Sequence, residues 1–386
     1  ASEGDLEGLI GAFEDGEVYQ EAVLALVDVG EPAIQPLITA LDDEKPEIRE
    51  YAAKTLGMIG DTAAVDPLIK VLDDEVDSVK FEAIRSLGMI KDPKAIQPII
   101  NELSDIDPRQ VYALELTASA LVKIGKPSIE PLIQALEHES IEVRQYSAIA
   151  LGRLGDPSAV ASLTQLVGDE SWRVREEAIN ALALIGTQDV IWTLIQAMGK
   201  QSSSSLQDKA RNALLTLSPS SEQITPYLKH EDLAIRKAAV DMLDLIGWDP
   251  KGNILAPWYY ATKGDFELAA EYGPEAIEPL IMCLLVNQPV EGTPPSHYPE
   301  EDIVNAFVEI GEPAIQPLID LISDPDKVIY TVSDALVSIG TPSVDPLIAM
   351  LSDSNKEVKV KERAASILGS IGDSRAVAPL IDACKQ

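Results

Sequence analysis

Basic side chains, cysteines and long apolar runs are all scarce in this sequence, and each shortage removes a class of function. Thirty Lys and Arg stand against sixty-four Asp and Glu, a formal charge of −34. A surface of that sign repels phosphate backbones and anionic headgroups, so neither nucleic acid nor membrane insertion is expected. The two cysteines, Cys283 and Cys384, lie 101 positions apart without metal-ligand spacing, which leaves neither a disulfide framework nor a zinc site. No run approaches the roughly 20 apolar residues of a bilayer-spanning helix, and the segment after Ala1 lacks the basic, apolar pattern of a signal peptide. A cytoplasmic chain is the default expectation, an extracellular one if Ala1 is a processed terminus. What is abundant is core-forming material: 46% of the 386 residues are hydrophobic and 24% charged, the balance of a folded protein.

The apolar residues are organised by repetition. A Pro-Leu-Ile box recurs at Pro36, Pro67, Pro98 (there Pro-Ile-Ile), Pro131, Pro279, Pro317, Pro346 and Pro379, and Ser162-Leu163, Thr193-Leu194 and Pro226-Tyr227 hold the same register between them. Successive starts differ by 31, 31, 33, 31, 31, 33, 53, 38, 29 and 33 residues, which makes eleven copies of one unit. Each copy reads as a helix opening near Pro, an acidic turn, and a second helix closing on Gly. In the copy from Ala33 to Gly60, Ile48, Ala52, Leu56 and Ile59 share one apolar face of the second helix. A lone pair cannot bury both of its faces, so the pairs must stack, and an all-α solenoid on the order of 100 Å long follows from ~9–10 Å of helix packing per pair. Two segments break the period, Trp248 to Tyr272 and the Pro-rich Asn287 to Glu301. The expected organisation is therefore a regular array over 1–247, an irregular insert over 248–301 and further repeats over 302–386, in one continuous solenoid.

The pattern Ile-Arg-x-x-Ala-Ala-x-x-Leu-Gly-x-Ile-Gly-Asp followed by Ala-Val-x-Pro-Leu-Ile, from Ile48 to Ile69 and again from Val143 through Val160, resembles the phycobilisome-lyase class of HEAT-like repeats. The resemblance covers nearly the whole chain. It implies an alpha-alpha superhelix, a right-handed solenoid of about eleven HEAT-like, armadillo-like helix pairs. It leaves function open, because such repeats occur in bilin-lyase subunits, in the iron-dependent deoxyhypusine hydroxylase and in scaffolds without chemistry. The hydroxylase carries four His-Glu pairs on its second helices. This chain has two, His138-Glu139 and His230-Glu231, each six residues before Arg144 or Arg236 and so in the acidic turn. Three repeats, ~30 Å by the packing distance, separate them, too far to share a metal.

No other catalytic set is legible. Gly57-Met58-Ile59-Gly60 and Gly152-Arg153-Leu154-Gly155 are helix ends and not phosphate loops. The recurring Arg49, Lys80, Arg144, Arg175 and Arg236, with Asp61, Asp92, Asp156 and Asp373 after the Gly turn, read as a structural ladder in which carboxylates cap helices and pair with a neighbouring guanidinium. The acidic turns, such as Asp42-Asp43-Glu44 and Asp73-Asp74-Glu75, should align along one edge, as a solubilising surface or one that receives a basic partner.

Two surfaces remain for specific function. Tyr51, Phe81, Tyr146 and Tyr330 fall just after the Arg register, where second helices line a groove. The insert concentrates Trp248, Trp258, Tyr259, Tyr260, Phe266 and Tyr272, six of eighteen aromatics, next to the loop bearing His297 and Tyr298. That density reads as a local core replacing missing repeat contacts or as a pocket. The expected function is a non-catalytic protein-binding scaffold without cofactor or metal, using the groove aromatics and Trp258, Tyr259, Tyr260, His297 and Tyr298. A self-assembling end-to-end subunit and a bilin-lyase-like partner subunit are the alternatives.

Overall fold

The computed structural model describes residues 3–200, 203–286, 298–323 and 330–384, and among them the elements are helices and turns with no strand. Contacts divide the chain into two units, Ala1–Ala197 with Gln201–Ser218, and Met198–Lys200 with Pro219–Gln386. Every one of the eleven boxes falls in a helical segment, the seventh in a 3-10 helix, Thr225–Lys229. At most copies the proline sits in the first turn, where its missing N–H costs nothing. At Pro36 and Pro317 the helix starts five residues earlier, at Glu31 and Glu312, and the proline removes one internal bond.

In the first unit the second helices are Tyr19–Val29, Pro46–Ile59, Asp77–Ile90, Val111–Ile124, Ile141–Leu154, Trp172–Ile185 and Ser204–Leu217. Ile48, Ala52 and Leu56 are buried as their spacing predicts, while Ile59 is half-buried at the helix end. Two kinds of turn lead onward. Gly60 closes its helix in the left-handed region at φ 78°, and the next residue, Asp61, accepts the Ala63 N–H at 2.8 Å to start the following helix. Gly125, at φ 88° and ψ −142°, lets the chain turn directly into Lys126-Pro127 without a capping Asp. Both conformations suit a residue without Cβ.

Neighbouring second helices approach backbone to backbone. A Cβ on Gly57 would lie 2.7 Å from the Ser86 Cα, one on Gly88 2.8 Å from the Ala120 Cα, and one on Gly152 2.7 Å from the Ala181 Cα. The first helices touch one another less extensively, so the row of second helices is the shorter, inner face of this unit.

The second unit has two features that the box count misses or explains. Between Leu233–Leu245 and Ile277–Val286, the 53-residue interval holds a shortened helix pair, Ala256–Lys263 and Phe266–Ala270. Its aromatics form a local core: Trp248 meets Tyr259 edge-on at 5.4 Å, and Phe266 meets Tyr298 at 5.3 Å. Beyond it, Phe307, Leu318, Leu336, Leu347 and Leu368 continue the buried column. In the first unit, Glu3–Gly11 and Tyr19–Val29 likewise make a pair ahead of the first box.

Candidate partner-binding surface

The charged ladder is structural, and its geometry is specific. Arg49 donates Nη1 to the Asp43 and Glu44 carbonyls of its own turn at 2.9 and 3.2 Å. Its Nε and Nη2 grip both Asp74 carboxylate oxygens at 2.6 and 2.8 Å, 25 residues on. Arg144 repeats the arrangement with the His138 and Glu139 carbonyls, both at 2.9 Å, and with Asp169 at 2.8 and 3.1 Å. Burial alone would raise the Asp74 carboxyl, but Arg49 and the Val76 N–H hold it below the usual carboxylate range. The expected ladder is thereby corrected in one respect. Asp61, Asp92, Asp156 and Asp373 do cap, each accepting an N–H two residues on, but the buried guanidinium pairs are made by Asp74 and Asp169 of the acidic turns. The two His-Glu pairs are explained by the same device, since His230 and Glu231 offer their carbonyls to Arg236 at 2.7 and 3.0 Å. Among the described residues, no group of three or more His, Cys, Asp or Glu is placed to hold a metal.

The inner face of the first unit is set by the register of Tyr51, Lys54 and Met58 on the Pro46–Ile59 helix. Tyr51 stacks on Tyr19 at 4.4 Å, with the Lys54 ammonium 5.8 Å from the Tyr51 ring. Polar bonds then step from helix to helix: Arg85 to the Tyr112 hydroxyl at 2.8 Å, Arg153 to Glu115 at 2.7 Å, and Lys209 to Glu176 at 2.6 Å. Glu82 and Glu177 also lie on this row, and burial raises both carboxyls above their ordinary value. Between these groups stand exposed apolar side chains, Met58, Met89 and Leu184 at one register and Tyr112 near the helix starts, the last 66% exposed.

The residues singled out from sequence separate into two sets. Tyr51 and Phe81 are half-buried, and Tyr330, in the second unit, is 78% exposed. Tyr146 is buried on the first unit's inner row. In the insert, Trp258 is 5% exposed, Tyr259 and Tyr298 are buried, and Tyr260 is half-buried. Tyr259 bonds Asp244 through its hydroxyl, and Tyr298 donates to the Thr262 carbonyl at 2.7 Å. These side chains are the local core of the shortened pair. His297 lies outside the described residues. Tyr112, Tyr19 and the Met58, Met89 and Leu184 row were not singled out, because only the two positions after the Arg register were searched for aromatics. The exposed stripe of an inner helix also includes the residue two before that register and the one nine after it.

The family model of HEAT repeats matches residues 6–80, 34–118, 129–215 and 315–386. No curated protein matches the sequence. Among solved structures, an engineered protein is 19% identical, with 88% of this chain and 99% of that chain covered and a TM-score of 0.34. The complex of CpcE and CpcF of phycocyanin lyase from Nostoc sp. is 26% identical, covering 62% of this chain and 94% of that chain with a TM-score of 0.31. Human deoxyhypusine hydroxylase in complex with glycerol is 20% identical, covering 64% of this chain and 97% of that chain with a TM-score of 0.25.

Proposed function

Since the chain belongs to the HEAT-repeat family, we propose that it is a non-catalytic protein-binding scaffold whose partner docks on the inner face of the first unit. The observation that carries this reading is the exposed apolar row of Tyr112, Met58, Met89 and Leu184 on helices held at backbone contact. A rigid face loses little entropy on binding, and an exposed tyrosine supplies apolar area with a polar handle. Tyr51 and Phe81 belong to the same surface, and Tyr330 is the candidate anchor of the second unit. The partner segment that fits is apolar with basic flanks, because the row also presents Glu82, Glu115, Glu176 and Glu177 in a chain of charge −34.

Partner capture from native extract, followed by titration of the captured protein, tests the placement. Tyr112→Ala, at a side chain 66% exposed, is expected to weaken binding about tenfold or more while leaving the unfolding midpoint near that of the parent; Tyr51→Ala is expected to weaken binding likewise and, because it also breaks the stack on Tyr19, to lower stability by about 1 kcal/mol. Trp258→Ala, within the local core, is expected to lower stability by roughly 3–5 kcal/mol. Unchanged affinity in both tyrosine variants would remove the inner face as the docking site.

A further inference from the structure

The first helix pair leaves a cleft beside it that the next repeat largely closes. The helices Glu3–Gly11 and Glu31–Ala40, with the turn into Pro46–Ile59, border a space of about 710 Å³, within the range of small-ligand sites. The corresponding space between Glu31–Ala40 and Val65–Lys70, bordered by Ile38 and Pro67, is about 210 Å³ and has the ammonium of Lys70 in its wall. Gly11 helps to keep the larger cleft open. It lines the space without a side chain, at φ −61° and ψ −27°, and a Cβ there would meet nothing within 4 Å.

The cleft is apolar at its floor and acidic at its rim. Leu6, Ala40 and Ile48 are buried along it and Ile10 and Pro36 half-buried, while Glu7, Glu14 and Asp43 carry the charge. Lys45 pairs with Glu14 at 2.6 Å, and Arg49 is committed to Asp74. Asp43 accepts the Lys45 backbone N–H on Oδ1 at 2.9 Å, and among the described residues neither Asp43 nor Glu7 has a basic side chain as partner. The surroundings have the same sign, since the first forty-four residues hold twelve Asp and Glu and no Lys, Arg or His. Such a field draws cations in and keeps anions out.

We infer that this cleft binds a small organic cation, an ammonium on an apolar alkyl or aralkyl body. The body covers Leu6, Ile10 and Ile48, and the ammonium meets Glu7 and Asp43 at the rim. An inorganic cation would leave the apolar floor in water, and a neutral apolar molecule would draw nothing from the carboxylates. The site is separate from the inner face of second helices, so its occupancy and the docking of a partner protein are tested independently.

The probe is phenylbutylamine, with its amine at the chain end, titrated by calorimetry into the full chain beside the phenylbutanol of the same skeleton. The amine is expected to bind about tenfold tighter than the alcohol, because charge-assisted hydrogen bonds add to a shared apolar contact. That advantage should shrink in about 1 M salt, where the screening length falls to about 3 Å. Methyl resonances of Leu6, Ile10 and Ile48 are expected to shift with the amine. Gly11→Leu, unstrained at a helical φ, is expected to fill the cleft and abolish binding with the unfolding midpoint preserved. Glu7→Gln, at an exposed side chain, is expected to weaken the amine about threefold to fivefold and leave the alcohol unchanged. No binding of the amine, equal affinity for amine and alcohol, shifts confined to methyls elsewhere, or full affinity in Gly11→Leu would each overturn the inference.

Discussion

At the scale of single residues, most recurring polar side chains serve the repeat. The Arg49–Asp74 pair is the clearest case, because both side chains are about nine-tenths buried and the fork is bidentate. Removing the carboxylate strands a buried guanidinium, so Asp74→Ala is expected to cost about 3–5 kcal/mol in urea unfolding at pH 7. The sign of its pH dependence follows from the direction of the shift. The folded-state pKa lies below the ordinary aspartate value of 3.8, so the pair's contribution is fully present above that value. It is lost as pH falls through the lower folded-state pKa. The stability gap between parent and variant should therefore hold from pH 7 to about 5 and close below about pH 4; a gap unchanged at pH 3 would show that Asp74 acts through packing and not charge. The residue types and their period were legible in the sequence. Which carboxylate pairs with which arginine was not, because Asp61 and Asp74 are equally regular in spacing and only the fold shows that the second one meets the guanidinium.

At the scale of helices, the glycine that stands three residues before the closing residue at Gly57, Gly88 and Gly152 lets neighbours stack at backbone contact. Gly88 and Gly369 share that register but differ in surroundings: a Cβ on Gly88 would collide with Ala120, and one on Gly369 meets nothing within 4 Å. Gly88→Ala is thus expected to destabilise by about 1–3 kcal/mol through overpacking. Gly369→Ala should instead stabilise by about 0.5–1 kcal/mol, since it only removes backbone freedom from a helix interior. Denaturant midpoints of the two variants check the contrast, and equal effects would sever the link between this register and helix spacing. The boxes disclosed the helices because proline and the Leu-Ile pair mark a first turn and its buried face. The shortened pair, Ala256–Lys263 with Phe266–Ala270, has no box, and its aromatics obscure the period. It could not be counted from spacing, although its role as a local core was one of the two readings that its density allowed.

At the scale of the whole molecule, the family and the all-helical class follow from periodicity, while the choice of partner does not, because a surface position is free to vary without disturbing the repeat. The charge of −34 has a consequence that can be measured all the same. Excess carboxylates repel one another in the folded chain more than in the expanded one, which destabilises the compact state. Salt shortens the screening length from about 30 Å at 0.01 M to about 3 Å at 1 M. Two effects then oppose each other, because the same salt weakens exposed ion pairs such as Lys45–Glu14 at 2.6 Å and Lys94–Asp66 at 3.4 Å. Exposed pairs contribute about 0–1 kcal/mol each, and only thirty basic groups are available to make them against sixty-four acidic ones. Repulsion should therefore win, and the unfolding midpoint should rise by roughly 2–4 °C between about 10 mM and 0.5 M sodium chloride. A midpoint that falls over this range would mean that the exposed pairs, and not the excess charge, dominate the surface electrostatics.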